Sequence, residues 1–257
     1  MRGVALLVAL SIWPAAAMAG LTETQLSQVT LSPPPRAQVP VALAFKDLNG
    51  RDVTLGEAIA GRPTLLVPAD FTCKQICGPA LSIAASALGQ TGLQAGHDYS
   101  LVVVGIDSKD SIEDASRFTA GQVGGSGVSV LSGSDAAIRS LLASIGYSFQ
   151  RDVSNGAIAH PAAYVTLAAD GRVSRVLSSL ALQPTDLKLA LIEAGDGRIG
   201  GLAGRIALLC YGFDAIHGIY SRQIAAMLEI GGALTILLLA SALGVMVWRS
   251  AKREASA

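Results

Sequence analysis

From residue 41 onward the chain alternates short apolar runs with stretches whose apolar positions recur every three or four residues. VALAFKDLNGRDVTL carries two alternating runs around Asn49-Gly50, a strong local signal for a β-hairpin. In GRPTLLVPADF the continuous apolar run from Thr64 to Val67 predicts a strand buried on both faces. GPALSIAASALGQTG follows with Leu81, Ala84, Ala85 and Leu88 at helical spacing and a glycine at its end. YSLVVVGID reads as a second buried strand, and DSIEDASRFTAGQ as a helix opened by the Ser111-x-x-Asp114 capping pattern. VSVLSG predicts a short strand, and SDAAIRSLLASIG a helix capped by Ser134 and ended at Gly146. AAYVTLAADGRVSRVLS gives two strands joined at Asp170-Gly171, and PTDLKLALIEAG a last helix starting near Pro184.

Strands alternating with helices and closed by an antiparallel hairpin predict an α/β fold with a mixed sheet flanked by helices, of which thioredoxin-like folds are one form. The domain is expected over residues 41–197. Ahead of it, VTLSPPPRAQVP makes residues 20–40 a proline-rich, extended lead-in. The glycines at 124–127 have nothing of a phosphate-cradling loop around them.

Composition adds two segments outside that domain. The 257 residues carry 19 basic and 19 acidic side chains, so no excess of positive charge marks a nucleic-acid partner. A mean hydropathy of +0.49 is high for a single soluble domain. Residues 1–19 combine Arg2, a short apolar stretch and Ala17-Met18-Ala19, the pattern of a cleaved secretory signal. Residues 227–248, whose uncharged core is IGGALTILLLASALGVMVW, are predicted as one C-terminal transmembrane helix, and Arg249, Lys252 and Arg253 follow it. Together these features predict a single-pass protein of the bacterial inner membrane. The globular domain would lie in the periplasm, residues 198–226 on the membrane surface and residues 249–257 in the cytoplasm.

Cys73 and Cys77 stand four apart at the junction of the first buried strand and the first long helix. Strand carboxyl ends are where open α/β sheets build sites, and a helix N-terminus favours thiolate over thiol, so both cysteines are expected to be ionised. Side chains at i and i+4 of a helix lie about 5–6 Å apart at Cβ. A relaxed disulfide needs about 3.5–4.5 Å, which the pair reaches if Cys73 sits in the loop before the helix. The spacing leaves a metal site, a redox couple and a structural disulfide open. Two thiolates suit a soft ion such as Cu(I), and an imidazole would complete a Cys2His set. Of the three histidines, His97 falls in a polar loop and His217 lies far along the chain, whereas His160 precedes Pro161 at the start of a predicted strand that can face the cysteines.

FKDLNGRDVTL, LLVPADFTCKQIC, VVVGIDSKDSIEDA and AHPAAYVTLAADGRVSRVL together resemble the Sco/SenC family of thioredoxin-fold copper proteins. The resemblance covers most of residues 40–195. It implies that Cys73, Cys77 and His160 bind one copper ion per chain. It further implies that the protein serves assembly of the cytochrome c oxidase copper site, with a copper donor protein and the oxidase's copper-site subunit as partners. The segment from Cys210 to Asp214 is similar to one in members with a C-terminal membrane helix. The chain departs from the family pattern in three places: Gly78 separates Cys77 from Pro79, VPADF replaces an aromatic-rich strand, and Ala159 stands where an acidic residue is usual. Such neighbours tune a metal ligand.

Asp107 corresponds to a family aspartate but also reads as a helix-flanking polar residue, and Cys210 reads as a juxtamembrane cysteine packed against the helix or as a second thiol for copper transfer. The alternative to copper delivery is a thiol-disulfide oxidoreductase in which Cys73 and Cys77 are catalytic and His160 is dispensable. A peroxide-reducing enzyme lacks its expected nucleophile motif.

Overall fold

The computed structural model describes residues 21–73, 77–179, 181–196, 211–214, 219–222, 232–241 and 243–244. In chain order the first half holds α1 (Glu23–Leu26), β1 (Thr30–Leu31), β2 (Ala44–Lys46), β3 (Asp52–Thr54), α2 (Leu55–Ile59), β4 (Thr64–Ala69), α3 (Cys77–Gln90), β5 (Ser100–Gly105) and α4 (Ile112–Thr119). The second half holds β6 (Val128–Leu131), α5 (Asp135–Ser144), β7 (Tyr147–Ser148), β8 (Gln150–Arg151), β9 (Ile158–Ala159), β10 (Ala163–Leu167), β11 (Val173–Ser178), α6 (Pro184–Ala194), β12 (Tyr211–Asp214) and β13 (Ile219–Arg222).

Local chemistry sets many of these boundaries. Asn49-Gly50 lies in the turn between β2 and β3, with Gly50 at φ 75°. Ser111 caps α4, accepting from the Asp114 N–H while the Asp114 carboxylate accepts from the Ser111 N–H. Thr54 and Glu57 do the same for α2, a short helix that hydrophobic periodicity alone does not reveal. Pro184 opens α6 at a position where its missing N–H costs nothing.

The central sheet runs β11-β10-β4-β5-β6. β4, β5 and β6 are parallel, while β10 is antiparallel to both β4 and β11. This is the mixed thioredoxin-like sheet expected from the element order. Every residue of β4 and of β5 is buried, because helices cover both faces. The period-2 alternation divides their side chains between two cores. Leu65, Val67, Leu101 and Val103 pack with α3, α4 and α6, whereas Leu66, Val102 and Val104 pack with α2 and α5.

The lead-in does more than extend. Thr30 and Leu31 pair with Ser148 and Tyr147, and the Ser32 N–H donates to Gly146 O at 2.9 Å. Gly146 has φ 64°, and a β-carbon there would stand 2.0 Å from Ser32 O. Only glycine lets the two chains approach so closely after α5.

The expected single-pass inner-membrane localisation has to be corrected. Among the described residues no helix is long and apolar enough to cross a membrane. With no such helix, the division into a periplasmic domain and a cytoplasmic tail loses its support. The rest of that span, the signal at 1–19, most of 198–226 and the tail at 249–257 lie outside the described residues, as do Cys210 and His217.

Candidate functional site

The carboxyl ends of β4 and β5 carry the chemistry. Leaving β4, the chain turns at Asp70, whose carboxylate accepts from the Thr72 N–H at 3.0 Å and the Thr72 hydroxyl at 2.9 Å. The Cys73 N–H then donates to Asp70 O at 3.2 Å, which places the half-buried Cys73 in the loop before the helix. Cys77 is the first residue of α3 and is buried. Neither Cys73 nor Cys77 is in a disulfide, and they share a hydrogen bond.

Phe71, between Asp70 and Cys73, anchors the turn from below. Its ring packs 5.5 Å from that of Phe118 and presses on Gly105, where a β-carbon would come within 2.8 Å of Phe71 Cε2. Its N–H donates to the buried Asp110 carboxylate at 2.9 Å. Burial pushes the Asp110 carboxyl up to about 6, and the neighbouring Asp70, Asp107 and Asp114 charges act in the same direction.

His160 comes from the segment between β9 and β10, the strand next to β4 and antiparallel to it. It directly follows β9, which pairs with β8, with Asn155-Gly156 in the connection between the two strands. His160 Nε2 lies 2.9 Å from Cys77 Sγ. Nδ1, at the opposite side of the ring, lies 2.9 Å from the Tyr147 hydroxyl and 3.1 Å from Pro161 O. The Asp107 and Arg151 side chains pair at 2.7 Å, tying β8 to the end of β5. Asp107 therefore has a structural partner, and its other carboxylate oxygen accepts from the Lys109 N–H at 3.1 Å.

The expected ionisation of both cysteines is not what Cys77 shows. Burial pushes its thiol far up, and the hydrogen bond with Cys73, the Cys73 charge and the Asp70 charge add to this. A backbone hydrogen bond at Asp70 opposes the shift and is outweighed. A helix N-terminus is worth about 1 kcal/mol, less than the desolvation of a thiolate at this depth. Tyr147 is likewise pushed up, by burial first and then by Cys77 and Asp70. The pocket resists negative charge, so a cation would relieve it.

The structure thus brings Cys73, Cys77 and His160 to one place, and leaves His97 exposed beside Asp98 in its loop. Among the described residues, no three His, Cys, Asp or Glu side chains are grouped tightly enough to hold a metal ion as they stand. The donor types nonetheless fit a soft ion, with two sulfurs and one imidazole nitrogen. Sequence reading missed Tyr147, Asp110 and Arg151. The Asn155-Gly156 pair is the same hairpin signal as Asn49-Gly50 and could have located the segment that delivers His160.

The sequence matches the SCO1/SenC family over residues 34–191. The chain belongs to this family. No curated protein matches it closely enough to be compared. Among solved structures, a SCO1/SenC-like fold recurs in a protein of Aquifex aeolicus VF5 provisionally described as an electron transfer protein. It is 21% identical with a TM-score of 0.57, and the match covers 64% of this chain and 96% of that one. Arabidopsis thaliana ScoI, solved with copper bound, is 16% identical with a TM-score of 0.51 over 59% of this chain and 94% of its own. BsSco, described with a disulfide switch and as a member of the Sco family of cytochrome c oxidase assembly proteins, is 17% identical with a TM-score of 0.52. That match covers 64% of this chain and 96% of BsSco. At these identities the likeness establishes the fold of this SCO1/SenC chain, and its site chemistry rests on its own residues.

Proposed function

We propose that this SCO1/SenC protein is a copper chaperone in which Cys73, Cys77 and His160 hold one copper ion as cargo for assembly of the cytochrome c oxidase copper site. The observation that carries the reading is the 2.9 Å contact between Cys77 Sγ and His160 Nε2, groups 83 residues apart that no local structure would bring together. Family membership supports it, as does copper in the Arabidopsis thaliana relative and the assembly role given to BsSco.

Each residue has a distinct part. Cys77 is the buried donor, Cys73 and His160 are half-buried, and Cys73, on its loop, is the donor that a copper donor protein or an oxidase subunit reaches first. Binding releases the two thiol protons, so a site that disfavours bare thiolates favours them once a cation is present. Two sulfurs select Cu(I) over harder ions.

A thiol-disulfide oxidoreductase is the second reading, favoured by the hydrogen bond between two cysteines that are not in a disulfide. It would use Cys73 as attacking sulfur, since the raised Cys77 supplies little thiolate, and it would not need His160. Copper content of the reduced full chain, measured beside His160→Ala and Cys73→Ser, separates the two. One copper per chain in the wild type, held at least about 10-fold more weakly in His160→Ala, is expected. No retained copper, with a reversible Cys73–Cys77 disulfide unaffected by His160→Ala, would favour the oxidoreductase.

A further inference from the structure

We infer that Tyr147 is a positioning residue for the copper site: its hydroxyl holds the His160 ring proton on Nδ1 and so keeps the Nε2 lone pair facing Cys77 and the cargo. This rests on the reading of Cys73, Cys77 and His160 as copper ligands.

A neutral imidazole carries one ring N–H and one lone pair, and only the lone pair can bind a metal. Three atoms meet at the Nδ1 side of His160. Tyr147 Oη lies 2.9 Å from Nδ1, Pro161 O lies 3.1 Å from Nδ1, and the Tyr147 hydroxyl donates to Pro161 O at 3.3 Å. The Pro161 carbonyl accepts and never donates. With the hydroxyl proton directed to that carbonyl, the Tyr147 oxygen presents lone pairs to Nδ1, so Nδ1 must carry the hydrogen. The opposite tautomer would place the Nδ1 lone pair against the carbonyl oxygen and turn an N–H toward Cys77 Sγ, which blocks the metal-binding nitrogen. The chain Nδ1–H to Tyr147 Oη, then Tyr147 O–H to Pro161 O, satisfies every group at once.

Tyr147 is itself well held. It is buried, it belongs to β7, and Leu31 of the lead-in pairs with it across β1. Its ring lies near the His160 ring, with centroids 6.4 Å apart and planes at 24°. The lead-in therefore reaches the site through one strand pair and one hydroxyl.

The test is nitrogen NMR of the metal-free, reduced full chain labelled at histidine, at a mildly alkaline pH where imidazole is neutral. A His160→Gln sample identifies the His160 signals among those of His97 and His217. The wild type is expected to show His160 protonated at Nδ1. Tyr147→Phe, which keeps the ring and removes only the hydroxyl, is expected to shift His160 toward a mixture of tautomers and to weaken Cu(I) binding about 10-fold. A wild-type His160 protonated at Nε2 overturns the inference. So does a Tyr147→Phe protein whose His160 signals and Cu(I) affinity match the wild type. Should the wild type show the Nδ1–H form yet retain no copper, the tautomer assignment is supported and the copper reading fails, so the two failures are distinguishable.

Discussion

The Asp107 carboxylate and the Arg151 guanidinium lie 2.7 Å apart, and their pairing joins the end of β5 to the hairpin that delivers His160. Asp107 is nearly buried and Arg151 about one-third exposed, so the pair sits between surface and interior in its worth. Arg151→Ala is expected to lower unfolding free energy by about 1–2 kcal/mol. Amide hydrogen exchange should also quicken over residues 150–159 more than in the central sheet. An unchanged exchange pattern would mean that the ladder between β8 and β9 holds His160 by itself.

Asp110 gives the fold an unusual acid response. Its carboxyl titrates near 6 in the folded protein against 3.8 for the free group, so between these values the folded chain binds a proton that the unfolded chain releases. Stability contributed by this residue is therefore present below about pH 4 and lost as pH rises through 6. The loss amounts to no more than about 3 kcal/mol. Asp110→Asn keeps an oxygen to accept the Phe71 N–H and carries no charge. Urea midpoints across pH 4–7 should show the variant gaining most above pH 6; a gain independent of pH would point to another cause.

Gly146→Ala should release the lead-in. Its φ of 64° disfavours a side chain, and the added methyl would collide with Ser32 O. A destabilisation of about 2 kcal/mol or more is expected, with earlier proteolysis of residues 21–37. Proteolysis unchanged from wild type would show that β1 is held by its other contacts.

Tyr164→Phe isolates one bond. The Tyr164 hydroxyl donates to Ala80 O at 2.6 Å, pinning β10 to the first turn of α3, where Cys77 begins. Its removal is expected to cost about 1 kcal/mol in chemical denaturation and to leave copper stoichiometry unchanged.

Much of this protein could be read from local sequence. The Asn49-Gly50 turn, the Ser111 and Ser134 caps, Pro184 at the start of α6 and the two continuous apolar strands depend on chemistry within a few residues, and each appears where that chemistry places it. Alternation of strands and helices then limited the architecture to a mixed sheet between helices. Cys73 and Cys77 stood out because so few cysteines accompany them, and His160 because it precedes a strand of that sheet.

Other features depended on distance and depth, which no window of sequence contains. Burial, not the helix terminus, decides the state of the Cys77 thiol, because desolvation at that depth outweighs a helix dipole. The Tyr147 hydroxyl meets His160 from β7, a strand paired with a lead-in more than a hundred residues earlier. Hydropathy marked residues 227–248 as a membrane span, yet among the described residues no helix is long and apolar enough to cross one. Periodicity, capping and turn chemistry are local forces and leave their marks in order along the chain. Desolvation and hydrogen bonding between distant groups arise only once strand order is set, and it is these that decide how Cys73, Cys77 and His160 face one another.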